Sequence, residues 1–556
     1  PGFNLAGWNE SYTGAPFSEE EMREWVDHTI GRILALGPRR VLEIGCGTGL
    51  LLLQIAPHVE YYCGTDLSRE ALACIEAQIA GADTHLPIEL LHRQADDFNG
   101  VEPRSFDLVV LNSVVQYFPS IDYLLRIIEQ AARSVKTGGH IFVGDVRSLP
   151  LLEAFHASVQ LHQAQPWLNK AQLRTRVQKR LSMEQELAIA PRFFLSLSER
   201  VSEIAGARCS LKRGTHPNEL NSFRYDVVIE IGGQTASSEG PIWIDWQTEG
   251  LTLDSLEALL NAEQQETVAI KSVPNARVRE HVRALELLES ADGSETARDI
   301  REALARAESN QGIDPEAVGC LAESLGYQAD IGWTGDDREG LFEAIFTKPG
   351  REIPGLSAPR ATAAPPLGRC ANHPVQEMLS RKLIPELREH ARASLPSHMV
   401  PATFVTMPEL PMTPNGKVDR RSLPAPELGR PEMEQAYVGP RTEPERIIAE
   451  IWEEFLGVAP VGVHDNFFEL GGDSLLSIQV TAKAIERGLP LTSKQLFEHQ
   501  TIAKLAALLR TESVDESALD SPDKASDAET FGWTQNNLDE IAAAIAASLN
   551  NESSAD

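Results

Sequence analysis

No apolar stretch in the 556 residues approaches the roughly 20 needed to span a bilayer. The opening PGFNLAGWNESYTG also lacks the basic-then-apolar pattern of a secretory signal. A membrane partner is therefore not expected, and a cytoplasmic location is. Cysteine is sparse: Cys46, Cys63, Cys74, Cys209, Cys320 and Cys370 are scattered, with no C-x-x-C spacing. That pattern argues against a disulfide framework or a zinc site and fits a reducing compartment, so no metal is expected. Basic residues are outnumbered, 50 Lys and Arg against 81 Asp and Glu, and the net charge of −31 argues against nucleic acid as a partner. There is no internal repeat and no initiator Met, so the chain reads as a piece of something longer.

The length suggests roughly three or four folding units. Residues 350–372 and 424–441 are rich in Pro or in Pro and Ala, and read as exposed, extended linkers. Residues 511–530 are acidic, Ser-rich and nearly without large apolar side chains, which reads as a third linker. The blocks between them are 1–349, 373–423, 442–510 and a short tail at 531–549. In the first block, strand-like runs at Val41–Ile44, Tyr61–Thr65, Asp107–Leu111 and His140–Val143 alternate with helical stretches, which predicts a parallel sheet covered by helices. From about Phe193 strands such as Tyr225–Ile231 mix with further helices, an additional α+β part. The third block reads as a small helical bundle.

In DNFFELGGDSLLSIQV (465–480) two glycines make a turn, Asp473 and Ser474 follow, and an apolar helix begins at Leu475. Ile447, Ile448, Ile451, Phe455 and Leu456 upstream, and Ile502, Leu505 and Leu508 downstream, fall on helical stripes. No base lies near Ser474 in the local sequence, so its hydroxyl is poorly suited to be a nucleophile and well suited to be modified. The block resembles the peptidyl carrier domains of nonribosomal peptide synthetases. That resemblance implies a four-helix carrier whose Ser474 receives 4'-phosphopantetheine from coenzyme A through a separate phosphopantetheinyl transferase.

RVLEIGCGTGL (40–50) ends a strand in Gly45, Gly47 and Gly49, which let backbone approach a ligand. The dinucleotide fingerprint would need glycine where Leu50 stands. Glu43 puts a carboxylate beside the loop, suiting a cationic ligand such as S-adenosylmethionine (SAM). Asp66, ending the second strand, is placed for the ribose hydroxyls. Asp97, with Asp96 as the alternative, is placed for the adenine amine, and Asn112 ends the fourth strand at the carboxyl edge. GWNESYTG, EIGCGTG, LNSVVQYFP, GDVR and NELNSFRYD together resemble the N-methyltransferase domains embedded in nonribosomal peptide synthetases. The resemblance spans nearly all of residues 6–348 and implies an α/β, Rossmann-like SAM-dependent methyltransferase, with Tyr12 among its cofactor residues. Transfer of a methyl group to an amine needs alignment and at most a weak base. Asp145 and Glu219 rank first for that role, with Tyr117 and His216 as further candidates. Asp145 and Arg147 form an ion pair on the competing reading.

LPSHMVPATFV (395–405) and LPMTPNGKVDR (410–420) present Lys417 on an Asn415-Gly416 turn. They resemble the end of an adenylation domain, and Lys417 matches its loop lysine. No phosphate loop or amino-acid pocket accompanies it, so an upstream adenylation core is expected to load the carrier. The tail FGWTQNNLDEIAAAIAASL (531–549) reads as an amphipathic helix docking to a downstream condensation domain or synthetase protein. The expected activity is N-methylation, in cis, of an aminoacyl thioester on the Ser474 arm. The rivals are a carrier and docking module with an inactive methyltransferase, O- or C-methylation of the tethered acyl group, and methylation of free small molecules.

Overall fold

The computed structural model describes residues 8–80, 86–232, 241–262, 266–290, 296–306, 312–333, 338–349, 365–395, 399–401, 404, 418, 420, 423, 438–456, 460–468, 470, 472 and 474–512. These fall in two compact units, 1–385 and 386–556.

The first unit is built on one twelve-stranded sheet. Its strands are β1 (Arg40–Ile44), β2 (Tyr61–Asp66), β3 (Ile88–His92), β4 (Phe106–Asn112), β5 (Val135–Ser148), β6 (Ala188–Ile189), β7 (Ile204–Leu211), β8 (Arg224–Ile231), β9 (Trp243–Asp245), β10 (Thr267–Val273), β11 (Gln328–Trp333) and β12 (Phe342–Thr347). The order is β3-β2-β1-β4-β5-β8-β7-β11-β12-β10-β9, with β6 beside β5. From β3 to β5 neighbouring strands are parallel, as the alternating pattern predicts. From β5 to β10 they turn antiparallel, which is the additional α+β part.

Both faces of the parallel half are covered. Leu42, Ile44, Val109 and Val143 pack into one core, and Val41, Leu108, Val110 and Phe142 into the other, the period-two alternation of buried strands. The helix Glu19–Ala35 starts with Ser18 capping the Glu21 amide and Glu21 returning the bond, and Met22, Trp25, Val26 and Ile33 form its buried stripe. The helix Ile121–Ser134 buries Ile121, Leu124, Ile127, Ile128 and Ala131 at the same spacing.

The segment expected to be an exposed linker through residue 372 differs from that expectation at its end. Cys370 is fully buried and Ala371 nearly so. The Ala190 amide donates to the Cys370 carbonyl at 2.8 Å, the Ala188 amide donates to Asn372 Oδ1 at 2.8 Å, and Ala371 bridges Ile189. The short strand β6 has open hydrogen-bonding groups, and this segment satisfies them.

In the second unit four helices, Glu443–Leu456, Ser474–Glu486, Ser493–Glu498 and Ile502–Glu512, surround a core of Ile448, Ile451, Trp452, Phe467, Val480, Leu496, Ile502 and Leu505. The Ile448 and Ile451 stripe is as expected, while Ile447, Phe455 and Leu456 are only partly buried and Trp452 fills the centre. Helix continues through Glu512, two residues past the expected boundary. Of the block 373–423, a helix over Pro374–Ser394 is described; Lys417 and residues 513–556, including the tail helix, lie outside the described residues.

Candidate active site

The strand β1 runs out into a loop anchored twice to β2, with the Gly45 and Cys46 amides both donating to the Thr65 carbonyl at 2.8 and 3.0 Å. Gly45 has φ +78°, and a Cβ there would lie 2.6 Å from Val114 Cγ2. Gly47, at φ +52°, faces open space, so a ligand can approach its backbone. Asp66 accepts from the Gly47 amide at 2.8 Å and the Ser68 amide at 2.8 Å, which ties the loop to the end of β2 and leaves lone pairs for further donors.

Asp97 accepts from Asn99 and lines a small, largely apolar cavity with Leu91, Ala95 and Phe98. Asp96, its alternative, lies beside Tyr123, whose hydroxyl is pushed up by burial and then by the Asp96 carboxylate. Asn112 is nearly buried; its Nδ2 donates to Ser113 Oγ at 3.1 Å, and its Oδ1 has no partner among the described residues. Gly144 opposite makes room for it, since a Cβ there would lie 2.1 Å from that oxygen. A glycine cradle with open space, a carboxylate at the end of β2, an apolar slot beside a second carboxylate and an unpaired amide oxygen suit an adenosine ligand such as SAM.

Two expected cofactor residues are enclosed and already hydrogen-bonded in this structure. Glu43 shares a strand face with Val41, so it points into the helix-covered core, where the Tyr62 hydroxyl donates to its Oε2 at 2.9 Å. Burial pushes its carboxyl up to about 7, against that hydrogen bond. It is buried, and the Asp66 charge nearby raises it further, so it is not an open carboxylate in this structure. Tyr12 bonds Ser158 Oγ at 2.7 Å, and burial raises its hydroxyl to about 12 despite that bond. Its ring packs among Phe155, His162 and His281.

Beside the loop opens a cleft of about 550 Å³. The turn after β4 separates the two: Val114 abuts Gly45, while Ser113, Gln116 and Tyr117 face the cleft. Tyr117, 71% exposed, and Arg147 stand at the cleft as site candidates. Glu219 opens the short helix Glu219–Phe223 and lines the cleft too, its carboxylate accepting from the Ser11 amide at 2.9 Å and hydroxyl at 2.8 Å.

Asp145 does not meet the requirement for a base. It is fully buried, its carboxylate accepts from Arg224 at 2.6 Å, Ser113 at 2.9 Å and Trp25 at 3.3 Å, and its φ is +65°. A proton acceptor must reach the substrate, and this one is enclosed and paired. Nor does it pair with Arg147, which instead binds Glu184 and Glu186 at 3.0 and 2.9 Å. The strand β5 shifts register against β8 between Val143 and Val146, and Asp145 lies within that irregularity. His216 is not a cleft residue; its amide donates to Glu24 at 3.3 Å and its carbonyl accepts from Asn221.

Several cleft groups have no local motif to announce them. His156 Nε2 lies 3.0 Å from Glu184 Oε2. Burial works to raise the Glu184 carboxyl, but the His156 hydrogen bond and the Arg147 charge outweigh it and hold the group at about 2. Arg180 and Arg224 add positive charge. Gln116 lies within LNSVVQYFP, and its amide oxygen has no hydrogen-bond partner among the described residues.

In the second unit the Gly472 amide donates to the Phe467 carbonyl at 2.9 Å, and a Cβ at Gly472 would strike the Phe467 ring. The close turn delivers Ser474 as the first residue of its helix.

Residues 42–141 match the family described as a methyltransferase domain, and residues 446–509 match the phosphopantetheine attachment site family. Chondramide synthase cmdD of Chondromyces crocatus is 44% identical over 91% of this chain and 13% of its own length. Peramine synthetase A of Epichloe festucae is 31% identical over 95% of this chain and 20% of its own. Nonribosomal peptide synthetase agiA of Aspergillus flavus is 31% identical over 92% of this chain and 7% of its own. The chain thus spans a fifth or less of the length of each of these relatives.

Proposed function

We propose that this chain, whose residues 42–141 and 446–509 match the methyltransferase domain and phosphopantetheine attachment site families, is part of a nonribosomal peptide synthetase and N-methylates an aminoacyl group held as a thioester on the Ser474 arm. The observation that carries this reading is the turn after β4, where one stretch of chain walls both the glycine loop and the cleft. An acceptor nitrogen in the cleft then lies next to the cofactor loop.

When bound, SAM supplies a methyl group on a sulfonium: the amine lone pair forms the N–C bond while the S–C bond breaks with its electron pair kept by sulfur. The residues proposed to hold the cofactor are Gly45, Gly47, Gly49, Asp66, Asp97 and Asn112. Glu219 is the proposed proton acceptor, because its carboxylate lines the cleft and keeps lone pairs beyond those used by Ser11. An α-amine has a reference pKa of about 7.7–8.0, so a carboxylate suffices to receive a proton lost on the way to solvent. Asp145 acts behind the cleft by fixing Ser113 and Arg224. Tethering would supply the substrate at roughly millimolar effective concentration, which relaxes the demand on cleft affinity. Loading by an upstream adenylation core, with residues 373–423 as the end of such a domain, and transfer to a downstream synthetase protein complete the proposal.

The test converts the protein to its phosphopantetheine form, loads aminoacyl groups from coenzyme A adducts, adds SAM and reads the mass of the tethered species with fragmentation. A methyl group on the α-nitrogen is expected. A label on oxygen or carbon would replace the reading with O- or C-methylation, no transfer to any aminoacyl group would leave a carrier module, and equal methylation of free amino acids would remove the role of the tether.

A further inference from the structure

Gln116 is 3% exposed, lies in the 3-10 turn Val115–Tyr117 directly after β4, and lines the cleft. Its backbone is pinned, with its carbonyl accepting from the Leu187 amide at 2.7 Å and Val115 fully buried beside it. Its side-chain Oε1 nevertheless has no hydrogen-bond partner among the described residues. Leaving a buried amide oxygen unpaired costs about 1–3 kcal/mol, and buried polar groups in native proteins are nearly always satisfied. A Met or Leu would fill the same space without that cost. Oε1 is enclosed in this structure, and rotation about the broad terminal amide torsion can turn it to the cleft that Gln116 lines; a pinned backbone carrying such an unsatisfied acceptor is what a site looks like when its partner arrives with the substrate.

The missing partner must donate a hydrogen bond. On the N-methylation reading above, on which this inference rests, the acceptor is a neutral amine with two N–H bonds and one lone pair. We infer that Gln116 takes one N–H of the acceptor amine while Glu219 takes the other, so that the lone pair is turned towards the cofactor loop. Both residues line the same cleft, and Gln116 is two residues from Val114, which abuts Gly45. Gln116 is thereby an orienting residue for the nucleophile, and it neither gains nor loses a proton.

Gln116→Met keeps side-chain length and removes the acceptor. In the aminoacyl-loaded holo protein at saturating SAM, the single-turnover methylation rate is expected to fall about a hundredfold, the scale of a misplaced nucleophile. Its SAM Kd is expected to stay within about twofold of wild type, and its Tm to be unchanged or higher, because an unpaired amide has gone. Gln116→Glu keeps an acceptor and is expected to retain a rate within about tenfold of wild type. A Gln116→Met rate within about threefold of wild type overturns the inference. So does a lowered Tm accompanied by weaker SAM binding, since that is the mark of a structural amide. Failure of the wild type itself to methylate any loaded amine strikes the parent reading instead, and the inference falls with it.

Discussion

The Asp145 carboxylate and the Arg224 guanidinium meet at 2.6 Å behind the cleft, with Asp145 wholly buried and 79 residues separating the two. The pair is one end of a charged chain. The Asp145 amide donates to Asp226, which also receives Lys212 at 2.9 Å and Arg32 at 2.8 Å. Asp145→Asn would leave a largely buried guanidinium without its countercharge, and a broken buried pair costs about 3–5 kcal/mol. Urea unfolding of the methyltransferase unit should show a loss of that order, and a loss below about 1 kcal/mol would mean that solvent or Glu186 relieves Arg224.

Glu43 makes stability depend on pH in the direction opposite to an ordinary ion pair. Its folded-state carboxyl sits at about 7 against 4.5 for an ordinary glutamate, so between those values the folded protein keeps a proton that the unfolded chain has released. Stability therefore falls as pH rises through that window, by up to about 3 kcal/mol. Glu43→Gln, which keeps an acceptor for the Tyr62 hydroxyl, should remove the dependence. Urea midpoints at pH 5 and pH 8 check this: an equal pH 5 to pH 8 drop in wild type and variant would rule out Glu43 as its source.

Asp66 carries two proposed tasks, holding Gly47 and receiving the ribose. Asp66→Ala should weaken SAM binding by about tenfold or more, the worth of hydrogen bonds to a charged group. Calorimetric titration reads this directly, and a Kd within about twofold of wild type would place the ribose elsewhere. Gly45→Ala is expected to act in the same direction, because its Cβ would meet Val114 and its φ of +78° is strained for alanine.

Ser474→Ala should abolish the mass gain on incubation with coenzyme A and a phosphopantetheinyl transferase. The same variant should bind SAM with wild-type Kd, because the residues proposed to hold the cofactor all lie in the methyltransferase unit. A persistent mass gain would move the attachment point to another side chain.

What was legible in the sequence is what lies close along it. The loop Gly45–Gly49, the strand-end positions of Asp66 and Asn112, and the helix start at Ser474 each follow from a few adjacent residues. Alternation with Val41 assigns Glu43 to a core face, which is why its carboxylate is enclosed beside Tyr62. The pairings Asp145–Arg224 and His156–Glu184 depend on the register of β5 against β8 and on where the chain returns after the helix Leu152–Gln163. No local pattern encodes either one. Trp452 shows the same limit in the carrier, where the ring at the centre lies beside the isoleucine stripe that the helical spacing marks.

The segment 365–372 is bound to the methyltransferase unit and limits where that unit can be cut. Composition would place an excision at residue 349, yet that cut strips acceptors from the Ala188 and Ala190 amides, uncovers Ile189, and frees the Glu186 carbonyl that Asn372 holds at 2.9 Å beside the cleft. A methyltransferase piece that keeps these contacts must extend at least through Asn372.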